Sequence, residues 1–205
     1  MYLKLYPDHL SDRHLARVTE MLTAGGVIVY PTDTLYAFGC DMFNHKALER
    51  MAQLRGVRTE HALFSLVCPD LSVLSDYTRP ISNPVFKLIR RHTPGPYTFI
   101  LQANALTPKI FQSKRKTVGI RIPDHTVARA LAESLGHPLA TASLKLREGF
   151  DDEACMMDPE LIREMYGDLV DAVIDSGPGG LEPSTVVDFT SGLPEVLRQG
   201  KGIFV

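Results

Sequence analysis

The chain has 205 residues, of which 44% are hydrophobic and 22% are charged, and its formal net charge is −2 at pH 7. This length and composition are ordinary for a soluble globular protein, and we expect a single domain over residues 1–205. No apolar run is long enough to cross a bilayer, and the first residues show no secretory signal. We therefore expect neither a membrane partner nor export.

The cysteines and histidines indicate the cellular compartment and whether a metal-binding site is expected. Cys40, Cys68 and Cys155 are widely spaced and form no C-x-x-C pair. This usage suits a reducing cytoplasm and disfavours both a disulfide framework and a zinc site. Since the seven histidines also lack a ligand spacing, we expect a cytoplasmic protein without a metal site built from its own side chains.

Helical and strand patterns alternate along the chain. Caps, glycines and prolines divide the first half into a helix from Ser11 to Gly25, a strand at 27–30, a helix near 45–54, a strand near 63–67 and a helix ending at Arg91. The second half is divided into strands at 97–101 and 117–122, a helix closed by Gly136, a strand near 138–143, a helix after Asp158, and extended segments at 169–177, 184–190 and 194–200. This order predicts an α/β (α+β) fold, in which helices flank a twisted, mixed β-sheet.

The small net charge hides a strong asymmetry along the chain. Residues 46–147 contain 16 Lys and Arg against 6 Asp and Glu, whereas residues 148–205 contain 3 basic and 13 acidic residues. The basic part predicts either a solvated face or a site for an anion, such as nucleotide phosphates or a nucleic-acid backbone. We interpret the acidic stretch at 148–158 as a surface loop rather than a domain boundary.

The stretch SKRKTVGIRIP at residues 113–123 joins three cations to a strand pattern. Alternation places Thr117, Gly119 and Arg121 on one face and apolar residues on the other. A glycine in a strand often marks the close approach of a ligand, and an arginine can grip a carboxylate or phosphate with two hydrogen bonds. Taken alone, however, the stretch favours an edge strand with one face in water.

Two further segments combine polar and apolar residues. The loop PTDT at 31–34 follows a buried strand and puts hydroxyl groups where open α/β sheets bind ligands, although these are also ordinary turn residues. In STVVDFT, Ser184, Val186 and Asp188 share a face, and Arg198 follows in VLRQG. Neither a P-loop nor a Rossmann glycine motif is present to explain the basic region.

Five blocks in a fixed order carry a family resemblance that covers nearly the whole chain. They are VIVYPTDTLYAFGCD, TPGPYTFIL, KRKTVGIRIPDHTVARAL, ATASL, and PSTVVDFT followed by VLRQG. In these blocks the chain resembles the YrdC-like family, whose enzymes make L-threonylcarbamoyladenylate from L-threonine, bicarbonate and ATP for the modification of tRNA at adenosine 37. The resemblance implies a deep, positively charged cavity, ATP with Mg²⁺ as a substrate, and nucleotidyltransferase activity.

The resemblance also implies roles for individual residues. One set of residues is expected to bind L-threonine or a similar amino acid, with Arg121 holding its carboxylate. The members of this set are Thr34, Arg121, Ser143 and Ser184. The nucleotide is expected at a second set: Arg55, Arg58, Thr117, Ser143 and Arg198. Cations on the rim of the cavity, or in contact with RNA, form a third set: Lys114, Arg115, Lys116 and Lys145.

Two motifs depart from the family pattern and resemble its YciO branch. The K-x-R signature reads RGVR at residues 55–58, so that arginine replaces lysine and the second cation is shifted by one position. The S-x-N motif reads SLK at residues 143–145. Arginine and lysine are not equivalent at a phosphate, and one lost contact can cost about 10²–10³ in rate. We therefore expect synthase activity to be weak or absent.

Three functions are compatible with these residues. The first is ATP-dependent formation of threonylcarbamoyl-adenylate, and the second is binding of tRNA or another double-stranded RNA without synthase activity. The third is nucleotide binding for an unrelated reaction. Double-stranded RNA is recognised by its shape and backbone, which suits a cationic surface without interleaved aromatic residues. The altered RGVR segment is the feature that separates the first function from the others.

Overall fold

A computed structural model describes residues 1–112, 116–150 and 152–205. The described residues form a ten-stranded mixed sheet with flanking helices, which confirms the predicted fold class. The strands are β1 (Tyr2–Lys4), β2 (Val27–Tyr30), β3 (Ala37–Asp41), β4 (Ser65–Val67), β5 (Tyr97–Gln102), β6 (Thr117–Arg121), β7 (Leu139–Ser143), β8 (Ala172–Asp175), β9 (Thr185–Asp188) and β10 (Glu195–Arg198). The helices are α1 (Asp12–Thr23), α2 (His45–Leu54), α3 (Leu71–Asp76), α4 (Asn83–Arg91), α5 (Thr126–Leu135) and α6 (Pro159–Tyr166). No helix in the described part of the chain is long and apolar enough to cross a membrane.

The order of strands across the sheet is β1-β8-β2-β3-β7-β4-β6-β5-β9-β10. Strands from both sides of the acidic stretch lie in this sheet, since β8 pairs with β1 and β2, and β9 pairs with β5. The acidic stretch contains a short 3₁₀ helix at Glu153–Met156, and Phe150 packs against the core. The stretch therefore connects parts of one continuous sheet.

Local signals in the sequence set the ends of the predicted helices. Ser11 accepts a hydrogen bond from the backbone N–H of His14 at the start of α1. Asn44 does the same for the N–H of Ala47 at the start of α2. Gly136 ends α5 with a φ of 79°, the left-handed conformation that glycine adopts without strain. These contacts confirm the predicted helix ends.

Three elements, β1, β3 and α3, have no counterpart in the sequence prediction. β1 and α3 have only three and six residues, too few for a periodic pattern to be recognised. β3 reads AFGCD, and a glycine inside a strand weakens the pattern. In the structure Gly39 is required because a Cβ there would lie 2.9 Å from the ring of Tyr30 on the neighbouring strand β2.

The expectation that SKRKTVGIRIP forms an edge strand is wrong. β6 lies inside the sheet between β4 and β5, and all five of its residues are buried. Val118 and Ile120 point into the apolar core, as their alternation predicts. The opposite, polar face is turned towards a recess in the sheet instead of bulk water, and strand alternation cannot distinguish these two environments.

The two faces of the sheet are covered to different extents. On the first face, side chains of α2, α4 and α6 join an apolar core that runs from β8 to β9. On the second face, α1 and α5 pack over β1, β8, β2 and β3 and reach β7 and β4. No described residue of β5, β6, β9 or β10 belongs to this second core. The helices therefore leave about half of the second face open.

Candidate functional site

The open half of the second sheet face contains a cavity of about 290 Å³. Its walls are formed by the ends of strands and by the loops that follow them, and hydroxyl groups are frequent on these walls. They come from Ser65, Thr98, Thr141, Ser143 and Ser184. A concave site with a few convergent polar groups is typical of a ligand-binding site.

The floor of the cavity is a row of residues that lie side by side on four neighbouring strands. Thr141 of β7 pairs with Ser65 of β4, which pairs with Gly119 of β6, which in turn pairs with Ile100 of β5. A Cβ on Gly119 would lie 2.9 Å from Oγ of Ser65 and 3.3 Å from Cγ2 of Thr98. The glycine therefore makes room for neighbouring side chains of the floor, in addition to widening the cavity.

Three arginines from distant parts of the sequence line the cavity. Arg55 follows the last residue of α2, Arg121 ends β6 and Arg198 ends β10. The described lining residues include no Asp or Glu. The arginines thus bring guanidinium groups to the cavity, and such groups are well suited to carboxylates and phosphates.

Arg121 is held by a buried ion pair. Its Nη2 donates to Oδ1 of Asp33 at 2.8 Å and to Oγ1 of Thr34 at 2.9 Å, and both side chains of the pair are more than nine-tenths buried. Its Nε is buried and has no hydrogen-bond partner among the described residues. A buried guanidinium is stable only when its charge is paired. Asp33 therefore fixes the guanidinium and balances its charge.

The loop PTDT lies behind Arg121 rather than on the cavity wall. Oδ2 of Asp33 accepts a hydrogen bond from the backbone N–H of Asp124 at 3.1 Å, and its backbone oxygen accepts one from Nζ of Lys201 at 2.6 Å. Thr34, predicted to contact the substrate threonine, is buried and is not among the lining residues. In this structure Thr34 supports Arg121.

Ser184 and Arg198 form a second fixed group on the wall. Nη2 of Arg198 donates to the backbone oxygen of Ser184 at 2.8 Å and to its Oγ at 3.2 Å, and that Oγ lies 2.8 Å from Oγ1 of Thr98. Burial lowers the pKa of Arg198, and the positive charge of Arg121 lowers that pKa further. Both guanidinium groups belong to the lining of the cavity.

The RGVR segment is divided between two surfaces. Arg55 lines the cavity, and its Nε is buried without a partner in the described structure. Gly56 has a φ of 68°, so the chain turns at this glycine. The side chain of Arg58 is 78% exposed, pairs with Glu60 at 3.0 Å and lines a separate groove of about 890 Å³. The structure thus brings Arg55 to the cavity and places Arg58 outside it.

Three further predicted residues lie at different depths. Ser143, the last residue of β7, lines the cavity with an exposed side chain. Lys145 is exposed just beyond this strand end, near Gly56. Thr117 is buried at the start of β6 and is not among the lining residues.

Of the three cations that directly precede β6, the described residues include Lys116, which does not line the cavity. Lys116, predicted for the cavity rim, lines a different groove of about 620 Å³ together with Arg79 and Lys109. Lys114 and Arg115, predicted for the same rim, lie outside the described residues. The structure therefore assigns Lys116 to a second basic surface.

Some residues of the site carry no sequence signal that identifies them. Asp33 stands in the PTDT loop, but turn chemistry explains an Asp there equally well. Ser65 and Thr98 are recognisable only once the strand register places them beside Gly119. Leu63 lines the mouth of the cavity with 84% of its surface exposed, and nothing in its sequence context distinguishes it from a core leucine.

The side chains around the cavity do not form a metal site. Among the described residues, no group of three or more His, Cys, Asp or Glu is placed to hold a metal ion. Mg²⁺ prefers carboxylates and phosphate oxygens, and the described lining of the cavity offers no carboxylate. The predicted Mg²⁺ would therefore have to be carried by the phosphates of a nucleotide.

Comparison with known proteins gives matches over most of the chain. Residues 20–200 match the Sua5_yciO_yrdC family, described as "Telomere recombination". The chain is 40% identical over 202 residues to YciO of Escherichia coli K12, which covers 98% of this chain and 96% of that protein. The crystal structure of E. coli YciO superposes with a TM-score of 0.89 at 39% identity, covering 100% of this chain and 99% of the other.

More distant relatives have a stated activity or ligand. The threonylcarbamoyl-AMP synthase of Marinobacter nauticus is 31% identical over 180 residues, covering 87% of this chain and 92% of the synthase. The crystal structure of P. abyssi Sua5 complexed with L-threonine has a TM-score of 0.83 at 21% identity, covering 98% of this chain and 57% of the other. At that identity the likeness to Sua5 concerns the fold.

Proposed function

The chain belongs to the Sua5/YciO/YrdC family, and on this premise we propose that its cavity binds ATP and L-threonine and forms threonylcarbamoyl-AMP. The proposal is supported by a relative of that name at 31% identity over 87% of the chain. L-threonine is also the ligand of the P. abyssi Sua5 complex, which has the same fold. The more similar E. coli YciO carries no activity in its name, so the proposal depends on the residues of the cavity.

In the proposed reaction, the amine of L-threonine first combines with bicarbonate to form a carbamate, with loss of water. A carbamate oxygen then attacks the α-phosphorus of ATP, and pyrophosphate leaves. Neither step needs a covalent bond to the protein. The chain must supply positioning of the reactants and positive charge around the phosphoryl group.

The observation that carries the proposal is the convergence of three arginines on a cavity whose described lining holds no carboxylate. Arg121 lines the cavity with a guanidinium that Asp33 fixes, and it holds the carboxylate of the amino acid. Arg198 and Arg55 hold phosphate oxygens. Ser143 and Ser184 line the same walls and offer hydroxyl groups to either substrate.

The altered motifs set the expected rate. Mg²⁺ bound to the triphosphate supplies neutralisation of its negative charge, and the protein supplies the remaining positive charge. Since Arg58 is turned away from the cavity, the RGVR segment contributes one cation to the described lining instead of two. Loss of one aimed contact of this kind costs about 10²–10³ in rate, so we expect slow turnover.

The test is release of pyrophosphate from ATP by the full chain, with and without L-threonine and bicarbonate. We expect slow release that requires both, together with a nucleotide product that carries label from ¹⁴C-bicarbonate. The matched control is Lys87→Gln on α4, an exposed cation on a helix that contributes no described residue to the cavity. Pyrophosphate release that does not depend on L-threonine would contradict the proposal, and so would a lack of ATP binding.

A second candidate, binding of tRNA or another double-stranded RNA, is favoured by the groove that contains Arg79, Lys109 and Lys116. The described lining of this groove includes no Asp or Glu. An RNA backbone would release counterions on binding, so affinity should fall steeply with added salt, and Lys109→Gln should reduce the slope by about one unit. A flat salt response would dismiss this candidate.

A further inference from the structure

We propose that Lys145, together with Arg55, binds the terminal phosphates of the nucleotide, in the place that the sequence pattern assigns to Arg58. The inference rests on the proposed function, because it concerns the same nucleotide and assigns a residue to its outer phosphates.

The ammonium group of Lys145 lies beside the turn that carries Arg55. Its Nζ is 4.0 Å from the position that a Cβ on Gly56 would take. Gly56 directly follows Arg55, whose side chain lines the cavity, and Ser143 lines the same cavity two residues before Lys145. The end of β7 thus brings Nζ of Lys145 next to the turn that follows Arg55.

The backbone that carries Lys145 is anchored on both sides. Leu144 is buried, and the hydroxyl of Tyr166 donates to the backbone oxygen of Lys145. Arg147 donates to the backbone oxygen of Met165, and its guanidinium carbon lies 5.7 Å from the ring centre of Tyr166. Arg147 therefore has a structural role, whereas Lys145 is exposed on an anchored stretch of backbone.

Lys145 and Arg58 differ in whether they have an ion-pair partner. Arg58 is paired with Glu60 at 3.0 Å. No ion pair within the described residues involves Lys145 or Arg55, and Nε of Arg55 is buried without a partner. Cations without a carboxylate partner are available to an anion with several negative charges.

The position at the mouth identifies which part of the nucleotide is bound. Arg121 is buried at the end of β6, further inside the cavity. Lys145 is solvent-exposed and can reach only a group that extends outwards from the cavity. The β- and γ-phosphates of ATP meet this description, and AMP lacks both of them.

Calorimetric titration of the full chain with MgATP and with AMP tests the assignment. We expect Lys145→Gln to weaken MgATP binding about tenfold, the loss of one hydrogen bond between charged groups, and to leave AMP binding within about twofold. Lys145→Arg keeps the charge but replaces a compact ammonium group with a planar guanidinium, so it should bind MgATP more tightly than Lys145→Gln. Arg58→Gln tests the competing assignment, in which Arg58 binds these phosphates. Lys87→Gln on α4 is the matched control for the loss of an exposed lysine.

Each outcome decides between the alternatives. The inference is overturned if Lys145→Gln binds MgATP like the wild type, if Arg58→Gln shows the loss instead, or if AMP and MgATP lose affinity equally. Any of these results leaves the proposed function intact as long as the wild type binds MgATP. Failure of the wild type to bind MgATP would overturn the proposed function together with the inference. Since Lys145 is exposed, thermal unfolding should confirm that its variants remain folded.

Discussion

The two halves of the second sheet face are built from strands of the same sheet but differ in what covers them. Over β1, β8, β2 and β3, helices α1 and α5 press Leu22 and Leu131 against Ile28 and Ile174 in an apolar core. Over β6, β5 and β9, no helix takes part in the described core, and the strands present Gly, Ser, Thr and Arg to a cavity. One half of the face therefore belongs to the apolar core, and the other half carries the candidate site.

The contrast between the halves explains how a cavity arises on a continuous sheet. Helices α1 and α5 bury apolar surface of the covered half. Each Å² of apolar surface removed from water stabilises the fold by about 25 cal/mol. The open half keeps its positively charged residues because Asp33 and Ser184 hold the arginines from the sides. If the two halves are independent, substitutions in one should change stability and substitutions in the other should change binding.

The largest effect is expected in the covered half. Leu131→Ala removes a fully buried side chain of α5 and should lower the free energy of unfolding by about 2–5 kcal/mol, as measured by urea denaturation. The affinity for MgATP at a temperature where the variant is folded should be unchanged. A parallel loss of affinity would show that the two halves are coupled.

The next effect is expected in the open half. Arg198→Ala removes a guanidinium group from the lining of the cavity and should weaken MgATP binding by about 1.5–3 kcal/mol, as measured by calorimetry. Because Arg198 is partly exposed, the free energy of unfolding should change little. Arg90→Ala on α4 is the matched control, and equal affinity in both variants would contradict the assignment.

A smaller effect is expected on the floor of the cavity. Gly119→Ala places a Cβ 2.9 Å from Oγ of Ser65 and should cost about 1–3 kcal/mol of stability through overpacking, while also reducing MgATP affinity. Ser65→Ala in the same chain removes the close contact and should restore much of the stability. If the double variant is no more stable than Gly119→Ala, the contact with Ser65 is not the cause.

The smallest effect concerns the boundary between the halves, where His125 precedes α5. Burial lowers the pKa of His125, the charge of Arg129 adds to this, and Asp33 and Asp124 oppose it. The unfolded chain therefore binds a proton more readily than the folded chain, and stability should fall as pH drops below about 6.5. His125→Gln should flatten this part of the pH profile in urea denaturation at about pH 7.5, 6.0 and 5.0, which bracket the ordinary histidine pKa. If the pH dependence of stability is unchanged in His125→Gln, His125 is not its cause.

Most of the fold is predictable from local sequence. The helices with clear caps, such as Ser11 and Gly136, are found where they are expected, because a cap is a contact within a few residues. β1, β3 and α3 are missed because each is short or interrupted by a small residue. The edge-strand expectation for β6 fails since periodicity reports which residues share a face and cannot report what that face meets.

The candidate site is predictable in part. Arg121, Ser184 and Arg198 stand out in sequence as polar residues beside apolar strand positions, and the structure brings them to one cavity. The place of Arg58 is not predictable, because the turn at Gly56 directs its side chain to another groove. Asp33 is likewise recognised as the partner of Arg121 only in three dimensions, since 88 residues separate them.

The sequence by itself determined the α/β class, the helix ends, the family and the presence of a basic region, because each of these depends on contacts or patterns within a short window. The tertiary structure decided which cations converge, since strand order places β6, β9 and β10 near one another despite their separation along the chain. It also decided which face of the sheet stays open. Both follow from packing: α1 and α5 are long enough to cover only part of the sheet, and the uncovered part is where charge is tolerated.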